Sequence, residues 1–105
     1  MQKRKFYLAV ILLLVGVMTM QAQVKTGIEV LRERNFDILQ GKRVGLCTNP
    51  TGVDRNLVST IDILWEAENV NLVALYGPEH GVRGNIYAGD HVDNEVDPKT
   101  GLKMY

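Results

Sequence analysis

Two short apolar runs, Val44-Gly45-Leu46-Cys47 and Leu72-Val73-Ala74-Leu75-Tyr76, constrain the fold of this 105-residue chain more than any other feature. Both alternating positions of each run are apolar or small, as expected of a strand covered on two sides, and turn residues bound each run. Between them Ile61, Leu64 and Trp65 recur at helical spacing and predict a buried stripe. Ser59 or Thr60 can cap that helix, Asp62 suits its first turn, and Asn69 can close its end. A strand, a helix and a strand within about thirty residues predict parallel pairing through a right-handed crossover. The fold class is therefore α/β: a parallel sheet with flanking helices, of which the chain holds only the N-terminal part.

Parallel strands end on one edge of their sheet, so the loops that follow them emerge together. Here these are Asn49-Pro50-Thr51-Gly52 and Gly77-Pro78-Glu79-His80-Gly81. Ligands of open α/β sheets bind at that carboxyl edge. In the second loop Pro78 fixes its own φ and the glycines admit conformations closed to other residues. The turn thus presents a carboxylate, Glu79, beside an imidazole, His80. A partly desolvated carboxyl at the mouth of an apolar sheet can donate a proton near neutral pH, which makes Glu79 the candidate general acid or base. The plainer reading is an acidic turn residue. His80 can orient Glu79, bind substrate or satisfy a loop carbonyl. Asn49 is either a turn former or an amide aimed at a ligand hydroxyl, and Arg83 either a solvated charge or a clamp for a ligand carboxylate.

Other chemistries have weaker claims. His80, His91, Glu79 and Asp90 are metal-ligand types, but no His-Glu-x-x-His spacing or cysteine pair accompanies them, so no metal is expected. Lone Cys47 lies mid-strand without a basic neighbour and is expected to be a small core hydrophobe. No G-x-G-x-x-G opens the helix, so no dinucleotide or other cofactor is called for. Asp90, Asp93, Glu95 and Asp97 read as loop solvation, with one of them available as a second carboxylate.

The two ends of the chain read differently. Lys3-Arg4-Lys5 precedes an almost unbroken apolar run over residues 6–18, and Thr19-Met20-Gln21-Ala22 ends in a small residue. Residues 1–22 thus read as a secretory signal peptide, shorter than the roughly 20 apolar residues a spanning helix requires. Residues 23–105 then carry nine Lys+Arg against twelve Asp+Glu, near −3, which leaves no electrostatic footprint for nucleic acid or an anionic membrane. After the leader, Thr26-Gly27 opens a helix with Ile28 and Leu31 on one face and Glu29, Arg32 and Glu33 toward water. Phe36, Ile38 and Leu39 are expected to cap the core in a short turn. Beyond Val82 the pattern lapses into an exposed loop with a short strand at Ile86-Tyr87. Asp97-Pro98-Lys99-Thr100-Gly101 makes a turn, and Leu102-Lys103-Met104-Tyr105 opens a third strand. Sheet edges left unpaired this way read as the N-terminal piece of a larger protein.

With Thr48-Asn49-Pro50-Thr51-Gly52, Tyr76-Gly77-Pro78-Glu79-His80-Gly81-Val82-Arg83-Gly84 and Asp97-x-x-Thr100-Gly101-Leu102-x-x-Tyr105, the chain resembles the secreted bacterial exo-β-N-acetylmuramidases. That family was long catalogued only as a domain of unknown function. The likeness runs over residues 24–105. It implies a Rossmann-like N-terminal domain, a C-terminal domain, and an active site in the cleft between them. It also implies release of terminal N-acetylmuramic acid from the non-reducing ends of peptidoglycan fragments. Carried onto this sequence, Glu79 is the catalytic acid/base with His80 beside it, and Asn49 and Arg83 line the cleft. The lactyl carboxylate of the sugar would give Arg83 a partner. The expected partners are muramyl saccharides. A non-catalytic domain that reads the same ligands through the same loops is the alternative, and a metal-dependent hydrolase a distant third.

Overall fold

The structure, a computed structural model, describes residues 1–18, 23–78, 81–84 and 95–105. Glu79, His80, Asp90, His91, Asp93 and the expected short strand at Ile86-Tyr87 lie outside the described residues. The elements run α1 (Gln2–Met18), α2 (Gly27–Glu33), a 3-10 turn (Asp37–Leu39), β1 (Arg43–Cys47), α3 (Thr60–Glu66) and β2 (Asn71–Tyr76).

Phe6, Leu8, Ile11, Leu12, Leu13 and Leu14 of α1 are exposed, and among the described residues none of this helix belongs to the core. Among the described residues no helix is long and apolar enough to cross a membrane. In contrast, α2 is fastened at its start by a capping box, with Thr26 N and Oγ1 donating to Glu29 Oε2 at 2.7 and 2.9 Å. Glu29 also accepts from Arg55 Nε, which ties the helix to the loop after β1. That bond is the main reason the Glu29 carboxyl is held at about 2.

β1 and β2 pair in parallel, as the strand-helix-strand spacing requires. The register slips between Val44 and Gly45, which pair with Leu72 and Ala74 and leave Val73 as a bulge. The bulge rephases the strand, so that Leu72 and Leu75, three residues apart, both enter the core. The third strand forms as expected on the other edge of β2. Leu75 N donates to Lys103 O at 2.9 Å, and Tyr105 N donates to Leu75 O at 2.9 Å, in the parallel sense. Residues 95–97 fold back antiparallel on this segment through the Val96–Lys103 bridge.

The core is Phe36, Ile61, Ile63, Leu64, Leu72, Leu75, Val82 and Met104, with Ile28, Leu31, Val44 and Leu46 packed around it. Several expectations are corrected here. Trp65 is 44% exposed, and Ile63 takes its expected place in the buried stripe. Seven residues make only two turns, and the face that meets the sheet is Ile61, Ile63 and Leu64. Of the three residues expected to cap the core, Phe36 is buried within it and Leu39 packs against it, but Ile38 points outward, because Asn35 and Phe36 both take left-handed backbone and redirect the chain. Asn69 does not end α3; its amide donates to Asn35 O at 2.6 Å and pins that reversal. β1 alternates between exposed and half-buried, so Cys47 is exposed and not a core residue. On its face of β1, Arg43, Gly45 and Cys47 are exposed among the described residues, whereas α3 packs on the sheet through Ile61, Ile63 and Leu64.

Candidate active site at the carboxyl edge of the sheet

The two loops after β1 and β2 meet as the parallel topology demands. The first begins where Thr48 N donates to Tyr76 O at 3.0 Å, which extends the ladder to the sheet edge. Asn49 then makes an Asx turn: its Oδ1 accepts from Thr51 N at 3.2 Å and Thr51 Oγ1 at 2.8 Å. Its amide oxygen is thus spent on shaping the loop, so only its N–H donors suit a ligand. The loop continues into a tight excursion organised by Asp54, which is 3% exposed. Asp54 Oδ1 accepts from Asn56 N and Val58 N, both at 2.9 Å, while Oδ2 accepts from Arg32 at 2.9 Å. The Val58 amide is the first cause that holds this carboxyl below its usual range. At the tip of the excursion sits Leu57, 80% exposed and with φ of 62°.

The second loop is fixed at both ends. Gly77 N donates to Tyr105 O at 3.0 Å, and Gly81 N donates to Pro78 O at 2.8 Å, closing a four-residue turn. Glu79 and His80 are the two residues between, outside the described residues. A Cβ at Gly77 would fall 2.9 Å from Val82 N, so only glycine lets the stems of the turn touch. Val82, 2% exposed, then enters the core. Gly84, with φ of 75°, lies against the first loop, where a Cβ would fall 2.8 Å from Pro50 Cγ. Between the loops is a groove of about 300 Å³ lined by Pro50, Val53, Leu57, Ser59, Val82 and Arg83. Another depression of about 360 Å³, beside α3 and bounded by Arg32, Phe36 and Val58, holds neither Asn49 nor Arg83.

Arg83 is the expected site residue with the fullest set of partners. Its Nε donates to Asp97 Oδ1 and its Nη2 to Asp97 Oδ2 at 3.0 Å, a bidentate pair. Nη2 also donates to Asp62 Oδ1 at 2.9 Å, and Lys99 Nζ reaches Asp62 Oδ2 at 2.6 Å. A ligand carboxylate would have to share or displace one of these acids. Asp97 itself is fully buried, and it also accepts from Thr100 N at 3.0 Å and Thr100 Oγ1 at 2.7 Å. Arg83 is the main cause that holds the Asp97 carboxyl at about 2, against the opposing effect of burial. Burial pushes Asp62 up, but Lys99 and Arg83 outweigh it and the group stays below its ordinary value. Asp97 is therefore not a solvated loop residue, as its sequence setting suggests. The available signal was the Asp97-Pro98-x-Thr100-Gly101 pattern, in which an aspartate caps its own turn. Among the described residues no group of three or more His, Cys, Asp or Glu is arranged to hold a metal ion.

These observations define an α/β protein whose candidate site lies at the carboxyl edge of a parallel sheet, between loops locked by close glycine contacts and one ion-pair knot. Comparison with known proteins narrows the class. Residues 44–105 match the family model described as exo-beta-N-acetylmuramidase NamZ, N-terminal. The chain is 51% identical over 83 residues to the peptidoglycan beta-N-acetylmuramidase NamZ of Bacillus subtilis (strain 168), covering 79% of this chain and 20% of that protein. It also superposes on the crystal structure of a DUF1343 family protein from Bacteroides fragilis NCTC 9343, with a TM-score of 0.70 and 64% identity, over 81% of this chain and 20% of that one. The chain belongs to the NamZ exo-β-N-acetylmuramidase family and spans about a fifth of the length of these relatives.

Proposed function

We propose that the protein containing this chain is an exported exo-β-N-acetylmuramidase that releases terminal N-acetylmuramic acid from the non-reducing ends of peptidoglycan fragments in cell-wall turnover. The observation that carries this reading is the 51% identity to a peptidoglycan β-N-acetylmuramidase across a segment that includes the whole Gly77-Pro78-Glu79-His80-Gly81 string. The fold supports it by bringing both stems of that turn to the sheet edge where α/β proteins bind ligands.

In this mechanism Glu79 donates its proton to the glycosidic oxygen as the bond from that oxygen to the anomeric carbon breaks. The sugar passes through an oxocarbenium-like transition state, and water supplies the hydroxyl of the released sugar. His80, adjacent in sequence, orients the acid or holds the substrate, and the Asn49 amide offers N–H donors to a sugar hydroxyl. Residues 1–22 act as the export signal, a role that suits the exposed apolar surface of α1 behind Lys3, Arg4 and Lys5.

The test uses the intact protein with a chromogenic β-N-acetylmuramide and the matching β-N-acetylglucosaminide. Release from the muramide alone is the expected result, and Glu79→Gln is expected to abolish it while leaving the folded state unchanged. No release from either substrate by folded protein would shift the assignment to a muramyl-binding domain, and near-normal turnover by Glu79→Gln would remove Glu79 from the mechanism.

A further inference from the structure

The Arg83 knot joins three parts of the chain that are far apart in sequence. Asp62 belongs to the first turn of α3, Arg83 follows the Pro78–Gly81 turn by two residues, and Asp97, Lys99 and Thr100 come from the segment that leads into the third strand. Among the described residues two cations face two carboxylates, so this cluster is neutral and has no surplus positive charge with which to draw in an anion. Its inner acid, Asp97, is fully buried and uses both oxygens, so it cannot swing aside for a ligand.

From this geometry we infer that Arg83 is a positioning residue, not a clamp for the substrate carboxylate. With Asp97 as its fixed partner and Asp62 as a second support, it braces the outgoing stem of the turn that carries Glu79 and His80. The incoming stem is held independently by Gly77 N on Tyr105 O, and the two stems touch at Gly77 and Val82. Both stems of the turn are thus anchored, and a guanidinium-carboxylate fork resists rotation in a way a lysine point charge does not. The inference rests on the reading of Glu79 as the acid/base. It adds that the reaction depends on Asp97, which touches no reacting atom.

The experiment measures kcat and KM of the intact protein on the chromogenic muramide for Arg83→Lys, Asp97→Asn and the double variant, each checked for native circular dichroism at the assay temperature. A brace predicts that each single variant lowers kcat about 10- to 100-fold with KM within about threefold, because displacement of a catalytic group acts on the chemical step. The double variant should be no slower than the worse single one, since both break the same pair. The basic limb of the pH profile, which reports the acid, should move in both singles. Asp62→Asn keeps the bidentate pair and serves as the milder variant, with an expected loss of about two- to fivefold by the same reasoning.

A clamp predicts the reverse: Arg83→Lys raises KM more than tenfold at retained kcat, and Asp97→Asn has little effect. That result would overturn the inference, as would wild-type kcat in both single variants. Inactivity of Glu79→Gln beside unimpaired Arg83→Lys and Asp97→Asn would sink the brace alone. Full activity of Glu79→Gln would instead remove the reading on which it rests.

Discussion

Replacement of Asp97 by Asn is the sharpest test of how this sheet edge is held. The side chain is fully buried and accepts from Arg83 twice and from Thr100 twice, so Asn keeps the shape but removes the charge that organises all four bonds. Loss of one partner of a buried pair costs about 3–5 kcal/mol when the other is stranded. Here Asp62 stays beside Arg83, whose side chain is 25% exposed, so the expected loss is smaller, about 2–3 kcal/mol. Linkage supplies an independent figure. A folded-state pKa of about 2 against an ordinary 3.8 corresponds to about 2 kcal/mol of stability at neutral pH. Because the folded pKa is depressed, this contribution is complete above the unfolded value and is lost as pH falls from about 4 toward 2. Asn cannot ionise, so the difference between wild type and variant should be constant from pH 7 to 5 and close steadily below 4. Urea unfolding of both proteins at pH 7, 5, 3 and 2 measures it, and Asp54 and Glu29 titrate in both, so their share largely cancels. A gap below about 0.5 kcal/mol at pH 7, or one that is the same at pH 7 and pH 2, would refute the argument.

Two further outcomes are expected. Gly84→Ala should destabilise by about 1–3 kcal/mol, since the residue needs both a left-handed backbone and the space now taken by Pro50 Cγ. Thermal unfolding checks it, and an unchanged midpoint would mean the two loops do not press together. Leu57→Gly should be neutral or stabilising by up to about 1 kcal/mol, because an 80% exposed leucine at φ of 62° loses strain and little packing. A clear loss of stability in the same assay would show that the Leu57 side chain is held by something its exposure does not reveal.

Much of this arrangement is legible in local sequence, because it depends on local chemistry. Apolar runs of four and five residues with a helical stripe between them admit a parallel strand-helix-strand unit and little else, and the pairing of β1 with β2 follows. Thr26 followed three residues later by Glu29 makes the capping box, and Ser59 caps α3 by accepting from Ile61 N at 3.2 Å. Leu102-Lys103-Met104-Tyr105 joins β2 as the next parallel strand. The neighbourhood of the Asn49 and Pro78 loops also follows from topology alone.

What only the tertiary structure decided are the long-range choices, where several partners were chemically acceptable. Arg83 was equally suited to water, to a ligand carboxylate or to an aspartate, and the fold selects Asp97 and Asp62, fourteen and twenty-one residues away. Asp97 sits among acids that all read as loop solvation, and its burial depends on a turn folding back beneath the sheet edge. The bulge at Val73 and the left-handed pair Asn35 and Phe36 set which apolar residues face inward, so Ile63 rather than Trp65 and Phe36 rather than Ile38 fill the core. Periodicity reports that a face is apolar; it takes the packed chain to say which residues that face meets. Composition and spacing determined the sheet, its parallel sense and the edge where chemistry belongs, whereas the ion-pair network that fixes the loop at that edge arises only when three distant segments converge.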